Sequence, residues 1–248
     1  MNGKAIIKFL VVIAAIIGLF AYFIQPLAGS LKQGLDLQGG THIVLEAEDS
    51  ATGTADNDAV ERAKQILERR INEMGLSEPL VQREGARRII IELPGVKDPD
   101  EAIKRIGKTA VLEFKNDQGQ TVMTGDDLKD AKEELGQNKQ PLVAIELSDE
   151  GAKKFADLTS KNIGRRIAIT LDGKELTNPV VQQAITGGKA TISGSQSLEE
   201  AKDLAILLRS GALPVKINVL EVRTVGPSLG QDSKDKSVVA FSAGIAMI

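Results

Sequence analysis

The 248-residue sequence reads as an α+β protein. It predicts one amino-terminal transmembrane helix, an extracytoplasmic domain with ferredoxin-like βαββαβ elements, and the start of a second transmembrane helix. Three observations predict this. Phe9 to Ile24 carries no charge, strand-period and helix-period segments alternate from residue 41 to residue 222, and Ser237 to Ile248 is wholly apolar or small.

Ile6 and Ile7 extend the first apolar stretch past Lys8, whose stem can snorkel, to about 19 residues, near the ~20 that cross a hydrocarbon core. Lys4 and Lys8 precede it, which places the amino terminus in the cytoplasm and Gly29 onward outside it. The rival reading is a cleaved signal peptide, with an apolar region of about 7–15 residues ending in small residues. "QPLAGS" (Gln25 to Ser30) fits that poorly, because Pro26 stands at the third position before a cut after Ala28.

Residues 41–48 alternate, with Ile43, Leu45 and Ala47 on one face, which predicts a half-buried strand. From Asp58 to Met74, Val60, Ala63, Leu67, Ile71 and Met74 keep helical spacing, with Asp58 as cap and Gly75 as terminator. Strands follow at 79–83 and 87–93, joined through Glu84-Gly85. In "DPDEAIKRIG", Asp98 caps a helix, Pro99 takes its first position and Gly107 ends it. A strand at 110–114 completes the ferredoxin-like order.

A second set begins with a strand at 142–147 and a helix from Ser148 to about Asn162. Asp172-Gly173 predicts a type I′ hairpin. A strand at 189–193, a helix opened by the capping box Ser197 to Glu200 and closed by Gly211 and Pro214, and a strand at 215–222 complete it. Residues 115–140 are the most polar and read as including a flexible connection, so periodicity alone divides the domain into two successive halves there. The last twelve residues are too short to cross a bilayer and read as a second span cut short.

A net charge of -3 and a pI near 5.5 argue against nucleic acid, which needs a basic surface. The pairs Arg69–Arg70, Arg87–Arg88 and Arg165–Arg166 lie among acids and read as solvated faces. With no cysteine there is no disulfide, thiolate site or cysteine nucleophile.

"GLDLQGGTHIVLE" (Gly34 to Glu46) sets glycines and an acid beside a strand. A phosphate cradle needs its glycines to lead into a helix, and Gly39-Gly40 lead into a strand. A metal corner would need partners for Asp36 and His42, and His42 is the one histidine. There is no Gly-x-Ser-x-Gly and no second histidine to act as a base. The sequence therefore gives no case for an enzyme or a cofactor, and the glycines serve geometry: a sharp bend into the first strand.

Those residues resemble the first signature of the SecD family, membrane subunits that assist the bacterial Sec export channel. "IELPGVKDP" (Ile91 to Pro99) resembles a further signature. So does "ITGGKATISGSQSLEEAKDLAILLRSGALPVKINVLEVRTVGPSLG" (Ile185 to Gly230), with its "LRSGALP" and "VGPSLG" cores, and residues 150–176 resemble the family's middle region. Gln38 stands where the family often has Arg, and Lys234 where it commonly has an apolar residue.

The resemblance implies the resistance-nodulation-division superfamily, the bacterial inner membrane, and a lipid bilayer around the spans. It implies SecF, the SecYEG channel with SecA, and unfolded secretory polypeptide as partners, with the proton-motive force as energy source. It places the cytoplasmic terminus and first span at 1–28, an extracytoplasmic base at 29–113 and 187–225, a head at 114–186, a connector at 226–236, and the truncated second span at 237–248. Gly34, Asp36, Gly39 and Gly40 would form a leading corner, and Gly226, Pro227, Leu229 and Gly230 a trailing one. Pro94, Gly95, Gly211 and Pro214 complete the structural motifs, while the cargo-binding residues stay open. A passive assembly module tethered to the membrane is the alternative function.

Overall fold

The computed structural model describes residues 39–49, 53–76, 79–96 and 98–226, with Leu35, Lys236 and Ala240 besides. The expected spans at 6–24 and 237–248 fall outside these residues, apart from Ala240. Among the described residues no helix is long and apolar enough to cross a membrane.

The first sheet holds β1 (Gly40–Glu48), β2 (Leu80–Glu84), β3 (Arg88–Pro94) and β11 (Lys216–Val225), in the order β11-β1-β3-β2. All its neighbours are antiparallel. Helices α1 (Asn57–Glu73) and α2 (Pro99–Ile106) belong to the same unit. The α1 cap is Asp56, whose carboxylate accepts from the Ala59 N–H at 2.7 Å, and Asp58 sits instead in the first turn. Asp98 caps α2 as its sequence predicts, accepting from the N–H groups of Asp100 and Glu101.

The expected fourth strand goes elsewhere. β4 (Leu112–Lys115) pairs with β5 (Thr121–Thr124) and β8 (Ala168–Leu171), in a second sheet of order β5-β4-β8-β9 that includes β9 (Lys174–Thr177). β11 takes its place, in register from Gly40 opposite Val225 to Glu48 opposite Lys216, with one irregularity beside Leu45. Alternation marks a strand but does not choose its partner.

Residues 115–140 are not a flexible connection. They contain β5, a short 3-10 turn (Gly125–Asp127) and the eight-residue β6 (Leu128–Leu135). β6 buries only Ala131 of "LKDAKEEL", so it shows no apolar alternation to read. It pairs with β7 (Pro141–Leu147), which pairs with β10 (Lys189–Ser193). Helix α3 (Asp149–Lys161) is capped by Ser148, and α4 (Leu198–Ser210) by Ser197.

Two cores result. One is built from residues 43–106 with Leu213 and Val215, the other from residues 112–208. The division near 115–140 expected from periodicity is therefore replaced by a nested one, in which the chain leaves the first core after α2 and returns after α4. The segment expected in the base at 187–225 is shared. β10 and α4 pack in the second core through Ile192, Ala201, Leu204, Ala205 and Leu208, and only β11 joins the first sheet.

Candidate functional site

A groove of about 750 Å³ opens in the second core between β6, β7, β10 and the segment 179–185. This is within the size range of ligand clefts. Phe155, Ile167, Ile169 and Val181 give it an apolar floor, backed by Phe114, whose ring meets Phe155 edge-on at 5.9 Å.

The irregular wall is tied down through its backbone. The Val181 N–H donates to Arg165 O and the Ile167 N–H to Pro179 O. Thr159 Oγ1 accepts from the Ile185 N–H at 3.0 Å while donating to Phe155 O at 2.7 Å. These bonds leave side chains free to face outward: Val180 is 46% exposed and neighbouring Ile163 56%. Beside the wall, Asn178 Oδ1 is buried without a hydrogen-bond partner.

The rim is charged but internally neutralised. Lys132 lies 2.9 Å from Asp130, and Lys129 2.7 Å from Glu146. The Lys132 hydrogen bond holds the Asp130 carboxyl below its ordinary range, and Lys129 does the same for Glu146. Pairing of these four charges lowers the net field they exert at the rim. The chain's one histidine, His42, lies in the other unit, 3.5 Å from Glu92.

The sequence-predicted glycine residues separate into two groups. Gly39, Gly40, Pro94 and Gly95 come together. Gly40 lies opposite Pro94 in the ladder, and the Gly95 N–H donates to Gly39 O at 2.9 Å. Gly39 has φ +69, and a Cβ on Gly40 would run into Leu93 O and stand 2.9 Å from Pro94 Cα. Gly226 follows Val225, the β11 partner of Gly40, so the leading corner and the end of β11 share one end of the sheet. Gly34, Asp36, Pro227, Leu229 and Gly230 lie outside the described residues. Gly211 and Pro214 belong to the opposite end, where the chain re-enters the first core.

One residue there contradicts the reading of the arginine pairs as solvated. Arg70 is fully buried. Its position, seven residues after the buried Ala63 on the apolar stripe of α1, was the available signal.

Three family models match: "SecD/SecF GG Motif" over residues 31–51, "Protein translocase subunit SecDF, P1 domain, N-terminal" over 60–119, and "SecDF, P1 head subdomain" over 103–215. The protein translocase subunit SecD of Acidaminococcus fermentans is 57% identical over 246 residues, covering 99% of this chain and 59% of that one. A solved structure described as a membrane component SecDF that enhances protein export is 40% identical, with a TM-score of 0.67, covering 73% of this chain and 99% of that one. The chain belongs to the SecD family.

A SecDF crystal structure in a super-membrane-facing form matches with a TM-score of 0.75 at 40% identity, covering 88% of this chain and 34% of that one. The chain spans little more than half the length of its SecD relative from Acidaminococcus fermentans. In SecD terms, the glycine-motif match falls on the Gly39–Gly40 corner. The head match takes in the whole second core and both passages between the cores, which is wider than the expected 114–186.

Proposed function

We propose that this chain supplies the extracytoplasmic part of an accessory subunit of the Sec protein-export machinery, and that its groove holds the translocating polypeptide on the outer side of the bacterial inner membrane. The observation that carries this reading is the groove itself: an apolar floor, a charge-paired rim and a wall pinned by its backbone suit an extended chain of arbitrary sequence. The family relatives are protein translocase subunits.

In this reading the first sheet, of order β11-β1-β3-β2, is a ferredoxin-like base into which the head is inserted ahead of the last strand. The membrane span at 6–24 and the second span that begins at 237–248 hold the base against the bilayer, and the Gly39–Gly40 corner carries movement between membrane and domain. SecF, SecYEG and SecA are the partners, and the proton-motive force drives a head movement that discourages backsliding. The chain acts by binding and has no catalytic role.

A photo-crosslinker at Val180 should capture a stalled secretory chain, and one at Glu84, on the first unit, should not. Capture only of resident envelope proteins would favour a passive scaffold, for which the exposed Val219, Leu220 and Val222 on the edge strand β11 offer a surface.

A further inference from the structure

The chain passes between its two cores twice, outward over residues 106–111 and back over 210–213, and one side chain grips both passages. Arg70 Nε donates to Ser210 Oγ at 3.1 Å, and Nη2 donates to Gly211 O at 2.8 Å. Nη1 donates to Ile106 O at 2.6 Å and also to Lys108 O. None of these partners is charged. The compensation for burying a cation comes from helix ends: Ile106 closes α2, Ser210 closes α4, and Arg70 stands in the last turn of α1. Helix carboxyl termini carry partial negative charge, and the guanidinium bonds directly to the ends of α2 and α4. Burial lowers its pKa to about 10, with Asp172 drawing it the other way, so it is charged at neutral pH.

The outward passage is held from its other side by Asp172, at the β8–β9 turn. Its carboxylate accepts from the Ala110 N–H at 3.1 Å and the Val111 N–H at 2.9 Å, and its own N–H donates to Val111 O at 2.9 Å. The Leu213 N–H donates to Thr109 O at 2.8 Å, joining the two passages directly. Between these grips Ala110 is held at φ +59, a conformation rarely adopted by a residue with a side chain.

We propose that Arg70 and Asp172 form a latch across the hinge between the two cores, which fixes the angle of the groove to the first sheet until its bonds part. Arg70 touches no cargo and is a positioning residue. The inference rests on the reading of the groove as a polypeptide site, since that gives the angle its consequence. Other links also cross between the units: Arg105 with Glu199 and Asp203, and Arg209 with Glu73. These are partly exposed, and salt screens them, whereas it reaches the buried Arg70 far less. Arg70 therefore sets the angle.

The test uses the full-length protein in proteoliposomes. This chain has no cysteine, so with any cysteine elsewhere in the full-length protein replaced, spin labels can be placed at Glu84→Cys on the first unit and Lys153→Cys on the second. The native pair should give one narrow distance distribution that high salt does not widen. R70M should broaden it on the order of twofold, with the β1–β11 and β6–β7 ladders still protected from hydrogen exchange though less strongly than in the native chain, as expected when a hinge opens without unfolding its flanks. R70K, which cannot fork between the passages, should broaden it too. An unchanged distribution in a folded R70M protein would overturn the latch. If R70M does not fold, D172N, which weakens the grip on Ala110 and Val111 alone, decides: broadening supports the latch and none overturns it. Crosslinking from Val180 separates the two readings. Cargo capture with an R70M-insensitive distance sinks the latch only, and an R70M-sensitive distance without capture sinks the groove reading only.

Discussion

The two units of this molecule solve opposite problems. The first is built on long strands, β1 with nine residues and β11 with ten, that pair along their length but for one bulge at Leu220, and the pocket beside its α2 is about 270 Å³. The second divides its strands between two smaller sheets, completes its wall with the irregular segment 179–185, and opens a groove of about 750 Å³. Continuous pairing makes a stiff platform. Interrupted pairing leaves room for a ligand, at the cost of a wall that depends on single hydrogen bonds such as the one from Ile185 to Thr159.

The most damaging single change to this arrangement should be R70M. It strips the donors from Ile106 O, Lys108 O, Gly211 O and Ser210 Oγ in a buried site, which should cost about 3–5 kcal/mol in denaturant titration. G40A should damage the platform alone. The added Cβ has no space against Leu93 O and Pro94, so about 2–3 kcal/mol should be lost. Exchange protection should fall at the Gly40–Pro94 end of the sheet and stay unchanged in the second core. T159V should damage the groove alone. It leaves the Ile185 N–H without its acceptor, at about 1–2 kcal/mol, and should weaken cargo crosslinking from Val180 while the first sheet keeps its protection.

The smallest effect should be a pH response confined to the second unit. Hydrogen bonds from Lys115, then from Thr121 and Thr170, hold the Glu113 carboxyl below its ordinary 4.5. A carboxyl lowered on folding contributes stability above its unfolded pKa and loses that contribution as pH falls through its folded one. The second unit should therefore lose a few tenths of a kcal/mol below about pH 4, since the site is partly solvated. E113Q should flatten that slope, as read from unfolding midpoints at neutral pH and near pH 3, and leave the first unit's midpoints unchanged.

Local chemistry was legible in the sequence. The Asp172-Gly173 hairpin has both residues at positive φ, +50 and +77, and β10 spans the expected 189–193. Asp98 and Ser197 cap the helices assigned to them. Pairing was not legible, because alternation in 110–114 and in 215–222 looks the same whichever sheet receives the strand. β6 was missed because seven of its eight residues are exposed or only partly buried, leaving Ala131 as its one buried position. Within the candidate site, the corner of Gly39, Gly40, Pro94 and Gly95 could be anticipated from its glycines and its family signature. The groove could not, since its lining is gathered from β6, β7, α3, β8, β10 and the 179–185 wall, none of which is distinctive alone. Arg70 was hidden by its neighbour Arg69, which is exposed, so that the pair looked like surface.

The ladder between β1 and β11 runs from Gly40 opposite Val225 to Glu48 opposite Lys216, eight steps of about 3.3 Å or about 26 Å in all. Because the strands are antiparallel, Gly40 and Val225 are tugged at the same rung. A load drawing both in one direction shifts the platform as a solid body and stretches no rung. A load prying them apart would unzip the rungs singly, beginning where Gly40 meets Val225. The platform is thus strong against thrust along its strands and weak against being peeled open at its glycine end.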